Sequence, residues 1–131
     1  MADYTVVKLE DAPDIFGGQY PGEMRSFTEA LGNTQVAFTY RRMPPKSGGK
    51  GSYGHSHKTQ EEVYFLVSGN LELKVDDEVL ELGPGTVWRV GPSAVRSIWN
   101  EGPEDAHLVI VSQRVDDPIA DTEQHENFWP A

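Results

Sequence analysis

Three side chains near the middle of the chain have the types and spacing of ligands for a divalent metal ion: His55, His57 and Glu62. Alternate residues of a β-strand face the same side, so a His-x-His pair on a strand presents both imidazoles to one ion, whereas a helix would turn them apart. Glu62 would add its carboxylate if the chain turns back over residues 58–61, giving a two-histidine, one-carboxylate site with open positions. Such pairs also occur by chance or as hydrogen-bonded core residues, so the pair alone leaves both interpretations open.

Two neighbouring side chains are candidates for contacting a bound molecule. Tyr64 lies two residues beyond Glu62, so in a continuing strand it would share the inward face and could line a pocket or act as an acid. It could equally be a core residue with a hydrated hydroxyl. Gln60, which precedes Glu62, is the second candidate for ligand binding. The chain has no cysteine, so any metal site must use His, Asp or Glu.

Length and charge limit the class of protein and its partners. A chain of 131 residues predicts a single domain over residues 1–131. The net charge of −10 would repel phosphate backbones and anionic membranes, so neither nucleic acid nor a membrane is an expected partner. No apolar run approaches the ~20 residues that span a bilayer, and the first residues lack the features of a secretory signal peptide. We therefore expect a cytoplasmic location.

The elements that must position these residues read as β-strands. From residue 34 onward, short β-like runs are separated by Gly, Pro, Asn and Asp, which is typical of an antiparallel sandwich or barrel. Apolar residues at 71, 73 and 75 alternate with polar ones and predict a half-buried strand that ends at Asp76-Asp77. Similar runs lie at residues 35–42, 79–82, 86–90, 95–100 and 108–111. The predicted fold class is all-β.

The segments near the two ends are less determined by pattern. The Gly32-Asn33 pair could close a hairpin onto a strand over residues 26–31, although the apolar spacing there also fits a short helix. Residues 5–9, with Val6-Val7, predict an N-terminal strand that could pair with a partner chain. The acidic tail 113–131 ends in Phe128-Trp129 and is either a loose end or an arm held by those aromatics.

The metal-ligand candidates fall within a longer motif. Gly49, five residues, His55-Ser56-His57, four residues, Glu62, six residues and Gly69 resemble the first motif of the cupin family at every fixed position. The stretch 62–69 also resembles the strand and turn of that motif. A second cupin motif carries a Gly, a Pro, a Gly, a metal-binding His and an Asn. Here only its ends, Gly85 and Asn100, match.

The resemblance covers roughly residues 34–112 and implies a double-stranded β-helix, or jelly-roll cupin barrel, with a site in its mouth. It also implies a homodimer. In metal-binding cupins the residues that match His55, His57 and Glu62 are metal ligands, so the implied cofactor is a divalent ion, with Zn, Ni, Fe and Mn not distinguished. Cupins include metal-dependent enzymes, metal-free enzymes and binding proteins without catalysis, so the fold alone selects no reaction.

Arg96 stands where the second motif has its metal-binding His. A guanidinium stays protonated and offers only donors, so it cannot bind a metal, and about 5 Å from a divalent ion it would be repelled by several kcal/mol at an effective dielectric of about 20. Arg96 could instead pair with Glu62 in a metal-free polar cluster, or bind the carboxylate or phosphate of a ligand. His107 could in principle supply the missing nitrogen, although His107 and His125 are expected at the surface.

Two functions follow, from different classes. In the leading one, the barrel binds a small polar or anionic organic molecule, with a divalent metal on two His and one Glu, and possible catalysis is left open. In the alternative, the barrel is a metal-free, non-catalytic binding module in which Arg96 pairs with Glu62 or binds an anion. A weaker third hypothesis is an interaction protein with a vestigial pocket.

Overall fold

The computed structural model describes residues 2–131 and consists of two antiparallel sheets. The elements are β1 (Glu23–Ser26), α1 (Thr28–Leu31), β2 (Val36–Met43), β3 (Ser47–Gly48), β4 (Gly54–His57), β5 (Glu62–Ser68), β6 (Leu71–Val75), β7 (Glu78–Leu82), β8 (Val87–Val90), β9 (Arg96–Asn100), β10 (Ala106–Gln113), α2 (Pro118–Asp121) and β11 (Thr122–His125). One sheet has the strand order β1-β2-β10-β5-β8, and the other has the order β11-β4-β9-β6-β7, with β3 paired to β9. The predicted all-β jelly-roll fold is confirmed.

The alternation of side chains in the strands places the core between the sheets. In β6, Leu71 and Leu73 are buried, and in β5, Tyr64 and Leu66 are buried while Phe65 between them is exposed. Both sheets contribute to one apolar cluster: Met43, Tyr64, Leu66, Leu71, Leu73, Val90, Ile98, Ala106 and Leu108. Burying each of the larger aliphatic side chains contributes roughly 1.5–3 kcal/mol, so the two-sheet packing is the main support for the strands that carry the site.

The N-terminal region differs from the sequence expectation. The predicted strand over residues 5–9 is absent: the chain is irregular up to Lys8, a 3₁₀ turn covers Leu9–Asp11, and Val6 is 83% exposed. Strand propensity needs a neighbouring strand and a face to bury, and this segment has neither among the described residues. No strand spans residues 26–31, where β1 ends at Ser26 and the short helix α1 follows.

Helix α1 ends at Gly32, which has a φ of 73° and caps the helix in the left-handed conformation. Glycine takes that conformation without the steric penalty of a Cβ atom, so the Gly32-Asn33 signal marks the end of a helix and not a hairpin. The helical alternative for this segment is therefore the correct one.

The tail forms an arm held against the second sheet. Strand β11 pairs with β4, and Trp129 is buried, its backbone N–H donating to the Ser52 carbonyl at 3.3 Å. The Phe128 ring lies against Gly54, where an added Cβ would come within 2.4 Å of it. The aromatics thus fix the C-terminal arm beside the strand that carries both histidines. No helix in residues 2–131 has the length and apolar character needed to cross a membrane.

Candidate metal and ligand site

Adjacent strands bring the candidate metal ligands together on the inside of the barrel. His55 and His57 lie on β4, and Glu62 is the first residue of β5 after the chain turns back. The Nε2 atoms of His55 and His57 are 3.6 Å and 3.4 Å from Glu62 Oε1. The two imidazole rings are 5.1 Å apart and nearly perpendicular. One ligand atom from each of the three residues lies within 4.8 Å of the other two, so the set could hold one metal ion.

The first glycine of the cupin-like motif permits this arrangement by its lack of a side chain. A Cβ on Gly49 would lie 1.8 Å from Ser97 Oγ and 2.5 Å from the Tyr53 carbonyl oxygen. Any larger residue would push the loop before β4 away from β9. Gly49 therefore sets how closely the histidine strand approaches its neighbour.

Glu62 is the centre of the polar cluster. Its Oε1 accepts hydrogen bonds from the Tyr64 hydroxyl at 2.5 Å and from Arg96 Nη2 at 2.8 Å. Burial alone would raise the pKa of Glu62, but the neighbouring His55 and His57 imidazoles and the Tyr64 hydroxyl outweigh it and hold the pKa well below its usual range. The carboxylate is therefore ionised. Burial and the Glu62 charge raise the pKa of Tyr64, so its hydroxyl stays protonated as a donor.

Arg96 reaches the cluster from β9, opposite His55 in the register. It is only 1% exposed. Besides Glu62, it donates from Nη1 to the carbonyls of Ala94, Pro92 and Gly91 at 2.8, 3.2 and 3.3 Å. The expected contact between Arg96 and Glu62 is present, and the guanidinium charge is balanced by a carboxylate of the protein itself.

Asp121 holds the ring of His57. Its Oδ2 lies 3.2 Å from His57 Nδ1 and also accepts the Gln60 backbone N–H at 3.1 Å. Burial would raise the pKa of Asp121, but hydrogen bonds from Thr59, Gln60 and His57 lower it, so the group is a carboxylate and accepts from Nδ1–H. With Nδ1 held by Asp121, Nε2 is the nitrogen that faces Glu62, and carboxylates commonly orient metal-binding histidines in this way.

The donor set fits a divalent ion. His57 Nε2 is buried and has no hydrogen-bond partner, and a buried acceptor left unpaired is unfavourable unless something binds it. Burial lowers the pKa of His55, which keeps its imidazole neutral and able to coordinate. Two imidazoles and one carboxylate suit first-row transition metals. The fourth protein ligand expected of metal-binding cupins is replaced by Arg96.

A small cavity of about 80 Å³ opens at this cluster and is lined by His55, Glu62, Tyr64, Arg96 and Arg41 among others. It adjoins an outer cavity of about 410 Å³, which shares Arg41 and Tyr53 with it. A larger groove of about 550 Å³ lies at the β6–β7 edge, lined by Lys50 and several glutamates. That groove lacks the converging imidazoles, so the inner cavity is the candidate site.

Not every candidate residue reaches the site. The Gln60 amide donates to Ser112 Oγ at 3.1 Å and to the Gln113 carbonyl at 2.9 Å, which ties the turn to β10 and points it away from the cavity. His107 contacts the Tyr40 hydroxyl at 2.6 Å and His125 contacts Ser56 Oγ at 2.8 Å, so neither supplies the missing nitrogen.

Sequence reasoning missed two residues. Asp121 lies in a polar tail where no local pattern marks it. Arg41 had a usable signal, because a charged residue stands at an inward position of the predicted strand over residues 35–42. Arg41 is separated from His55 and Glu62 in the sequence, so the sequence did not reveal that it lines the same cavity.

The fold and the site together define a small jelly-roll barrel with an inward-facing His–His–Glu cluster. The family model for the cupin domain matches residues 41–112, which is more than half of the chain. The chain belongs to the cupin family. No curated protein sequence matches it.

Solved structures show the same fold. A sugar phosphate isomerase of the cupin superfamily from Silicibacter pomeroyi has a TM-score of 0.71 at 15% identity, covering 97% of this chain and 96% of its own. A cupin protein from Bacteroides fragilis has a TM-score of 0.69 at 20% identity, covering 89% of each chain. A longer protein from Acidithiobacillus ferrooxidans has a TM-score of 0.61 at 23% identity. The aligned region covers 72% of this chain and 60% of that longer protein. At these identities the likeness is one of fold alone.

Proposed function

We propose that this cupin barrel binds a small polar or anionic organic molecule in its mouth, together with a divalent metal held by His55, His57 and Glu62. One observation carries the proposal: the imidazole and carboxylate ligand atoms converge within 4.8 Å, and His57 Nε2 is buried there without a partner. Asp121 supports it by holding His57 in the orientation that a metal ligand needs.

A divalent ion at this position would polarise a ligand oxygen or acidify a bound water. The protein's own residues would hold the ligand beside it and limit the space around it to the inner cavity of about 80 Å³. Tyr64 and Arg96 fix the Glu62 carboxylate from the other side. The sugar phosphate isomerase among the structural neighbours is too distant to transfer its substrate, so we assign a ligand and a metal to the site but no reaction.

A metal-free, non-catalytic binding module is the second candidate, and the contact between Arg96 and Glu62 favours it. That ion pair at 2.8 Å balances the carboxylate without any ion, and the guanidinium adds a positive charge beside any metal. In this alternative the histidines would contact the ligand through hydrogen bonds.

Metal content distinguishes the two candidates. We expect untagged wild-type protein to contain about one transition metal per chain by elemental analysis, and Zn²⁺ titration of the chelator-treated protein to show one site. His55→Ala and His57→Ala should each weaken Zn²⁺ binding by at least about tenfold, about 1.4 kcal/mol. His107→Ala is the matched control and should bind as wild type, because His107 lies outside the cluster. If the purified wild-type protein contains no metal and binds no Zn²⁺ in the titration, the metal-free binding module would be favoured.

We further propose that the chain forms one barrel domain that assembles as a homodimer, with β5 and β8 in the interface. Val63, Phe65, Val67 and Val87 on the outer face of the first sheet are between 37% and 61% exposed, and Phe65 pairs with Val87 in the register. An apolar face can contact the same face of a second copy about a two-fold axis. Two chains that each carry a net charge of −10 repel one another where acidic surfaces meet, and an interface of apolar side chains avoids that contact. A cytoplasmic location stays a prediction.

A further inference from the structure

Arg41 is a cation on the inner face of the barrel without a counterion. It lies on β2, paired in the register with Met24 on one side and Leu108 on the other. Its Nε is buried without a hydrogen-bond partner. Within residues 2–131, none of its nitrogens donates a hydrogen bond. Its guanidinium makes a cation–π contact with the Phe16 ring, whose centroid is 5.6 Å from Cζ.

The other five arginines all pair with a carboxylate at 2.6–2.9 Å: Arg25 and Arg42 with Glu23, Arg89 with Glu61, Arg96 with Glu62, and Arg114 with Glu29. The chain has 21 acidic residues, yet among the described residues none of them pairs with Arg41. Arg41 as a whole is half-buried, but a charged group whose Nε is buried without an acceptor is unfavourable for folding. Its retention at an inner position points to a partner from outside the chain.

The position of Arg41 connects it to the candidate site. Its side chain lines both the inner cavity, with His55 and Glu62, and the outer cavity, with Tyr20 and Tyr53. Arg41 therefore lies where the two cavities adjoin, beside the cluster.

The charges in the inner cavity leave one positive charge unbalanced. Arg96 and Glu62 neutralise each other at 2.8 Å, so the Arg41 guanidinium is the charge left without a counterion. Burial lowers the pKa of Arg41, but a guanidinium remains protonated in a protein. A bound divalent metal would only add positive charge, so a monoanion suits the cavity whether or not a metal is present.

We propose that Arg41 binds the carboxylate of a small organic anion, placing the adjacent atoms of that anion at the His–His–Glu cluster. This rests on the proposed ligand-binding function of the barrel mouth and replaces Arg96 as the anion-binding residue, because Arg96 is already paired with Glu62 and, of its donors, only Nε is left without a partner. A carboxylate suits the site because it carries one charge and matches the planar fork of an arginine. The inner cavity of about 80 Å³ leaves room for a group of only a few heavy atoms.

The test uses acetate as the probe and acetamide as its neutral counterpart, at constant ionic strength. Binding is followed by the NMR signals of Arg41 Nε–H and the His55 ring. We expect acetate to shift both signals to saturation and acetamide to shift neither. Arg41→Met should weaken acetate binding by at least tenfold, and Arg41→Lys should weaken it less because the charge is kept without the fork. Arg89→Met removes the same charge from an exposed surface pair and should bind acetate as wild type.

Thermal unfolding separates a binding role from a structural one. Arg41→Met should unfold at a temperature no lower than wild type without acetate, since it removes an unpaired charge. Acetate should raise the unfolding temperature of wild type and Arg89→Met but not that of Arg41→Met. If Arg41→Met does not fold, acetate binding by Arg41→Lys decides: affinity equal to wild type would overturn the proposal.

Three further results would contradict the assignment. Acetate binding unchanged in Arg41→Met, or no acetate binding in wild type, would overturn it, and tighter binding of inorganic phosphate than of acetate would overturn the choice of a carboxylate. Zn²⁺ titration is independent of these outcomes. If wild-type protein binds acetate through Arg41 but does not bind Zn²⁺, the result would contradict the metal site and support the anion site.

Discussion

At the scale of single residues, Glu62 and the two inner arginines determine what the cavity can bind. Glu62 Oε1 accepts from Tyr64 and Arg96 while both histidine Nε2 atoms lie within 3.6 Å of it. Arg96 is therefore part of the protein's own ion pair, and Arg41 is the cation that remains for a ligand. The two arginines have different roles because only one of them faces a carboxylate.

Replacement of Arg96 tests its effect on the metal. Arg96→His removes the positive charge and adds an imidazole, so we expect divalent-metal affinity to rise by at least about tenfold, or about 1.4 kcal/mol. Arg96→Ala removes the charge without adding a ligand and should give a smaller gain. Isothermal titration of Zn²⁺ or Ni²⁺ into the three proteins measures both effects.

Both variants should also be less stable than wild type, because each leaves Glu62 and three backbone carbonyls without the Arg96 donors. Removing one partner of a buried ion pair typically destabilises by about 3–5 kcal/mol. Urea unfolding therefore accompanies the titration and confirms that each variant is folded. Equal metal affinity in all three proteins would show that Arg96 does not oppose metal binding.

At the scale of the elements, the C-terminal arm supports the histidine strand. Strand β11 pairs with β4 along its whole length, from Thr122 opposite His57 to His125 opposite Gly54. Asp121, at the end of α2, links the arm to His57 and to the turn before β5. The tail is thus a structural part of the candidate site.

Asp121→Asn tests this support. The amide keeps the shape of the side chain but loses the charge that fixes the His57 proton on Nδ1, so we expect Zn²⁺ affinity to fall by about 10–100-fold. The nitrogen NMR shifts of His57 should show a mixed tautomer in place of Nδ1–H. Asp117→Asn is the matched control, since Asp117 caps α2 through Ala120 N–H, and asparagine serves as well in that role. A positioning role would be refuted if Asp121→Asn kept wild-type affinity and tautomer.

At the scale of the whole molecule, the two faces of the first sheet differ. Its inner face carries the core and Arg41, and its outer face carries the exposed valines and Phe65 of β5 and β8. These apolar side chains form a cluster with the exposed Arg89–Glu61 ion pair beside it, and a protein with net charge −10 has little reason to expose such a cluster unless another molecule covers it. A second copy of the chain is the occupant we propose.

Light scattering tests the dimer. We expect wild type to have twice the 14.6 kDa chain mass at micromolar concentration. Phe65→Lys with Val87→Lys places four like charges in a two-fold interface and should give the monomer mass. Val79→Lys with Ile119→Lys makes the same charge change at exposed apolar positions elsewhere and should remain dimeric. A wild-type mass near 14.6 kDa would reject the dimer.

The sequence by itself determined the features that depend on short-range pattern. Turn residues divide the chain into strands, and period-two alternation decides which side chains face inward, so the all-β fold, the convergence of His55 with His57, and the inward direction of Arg96 were predictable. The spacing of the first cupin motif added Glu62, because a fixed number of residues separates β4 from the start of β5.

Only the tertiary structure decided which distant groups meet. Asp121 reaches His57 across more than sixty residues of sequence, and Gln60 is drawn away from the cavity by the end of β10. The N-terminal segment 5–9 has strand-forming residues but no neighbouring strand among the described residues. Among the arginines of the described residues, Arg41 is distinguished by having no carboxylate partner, and that absence follows from the packing of all the surrounding strands, which no local pattern records.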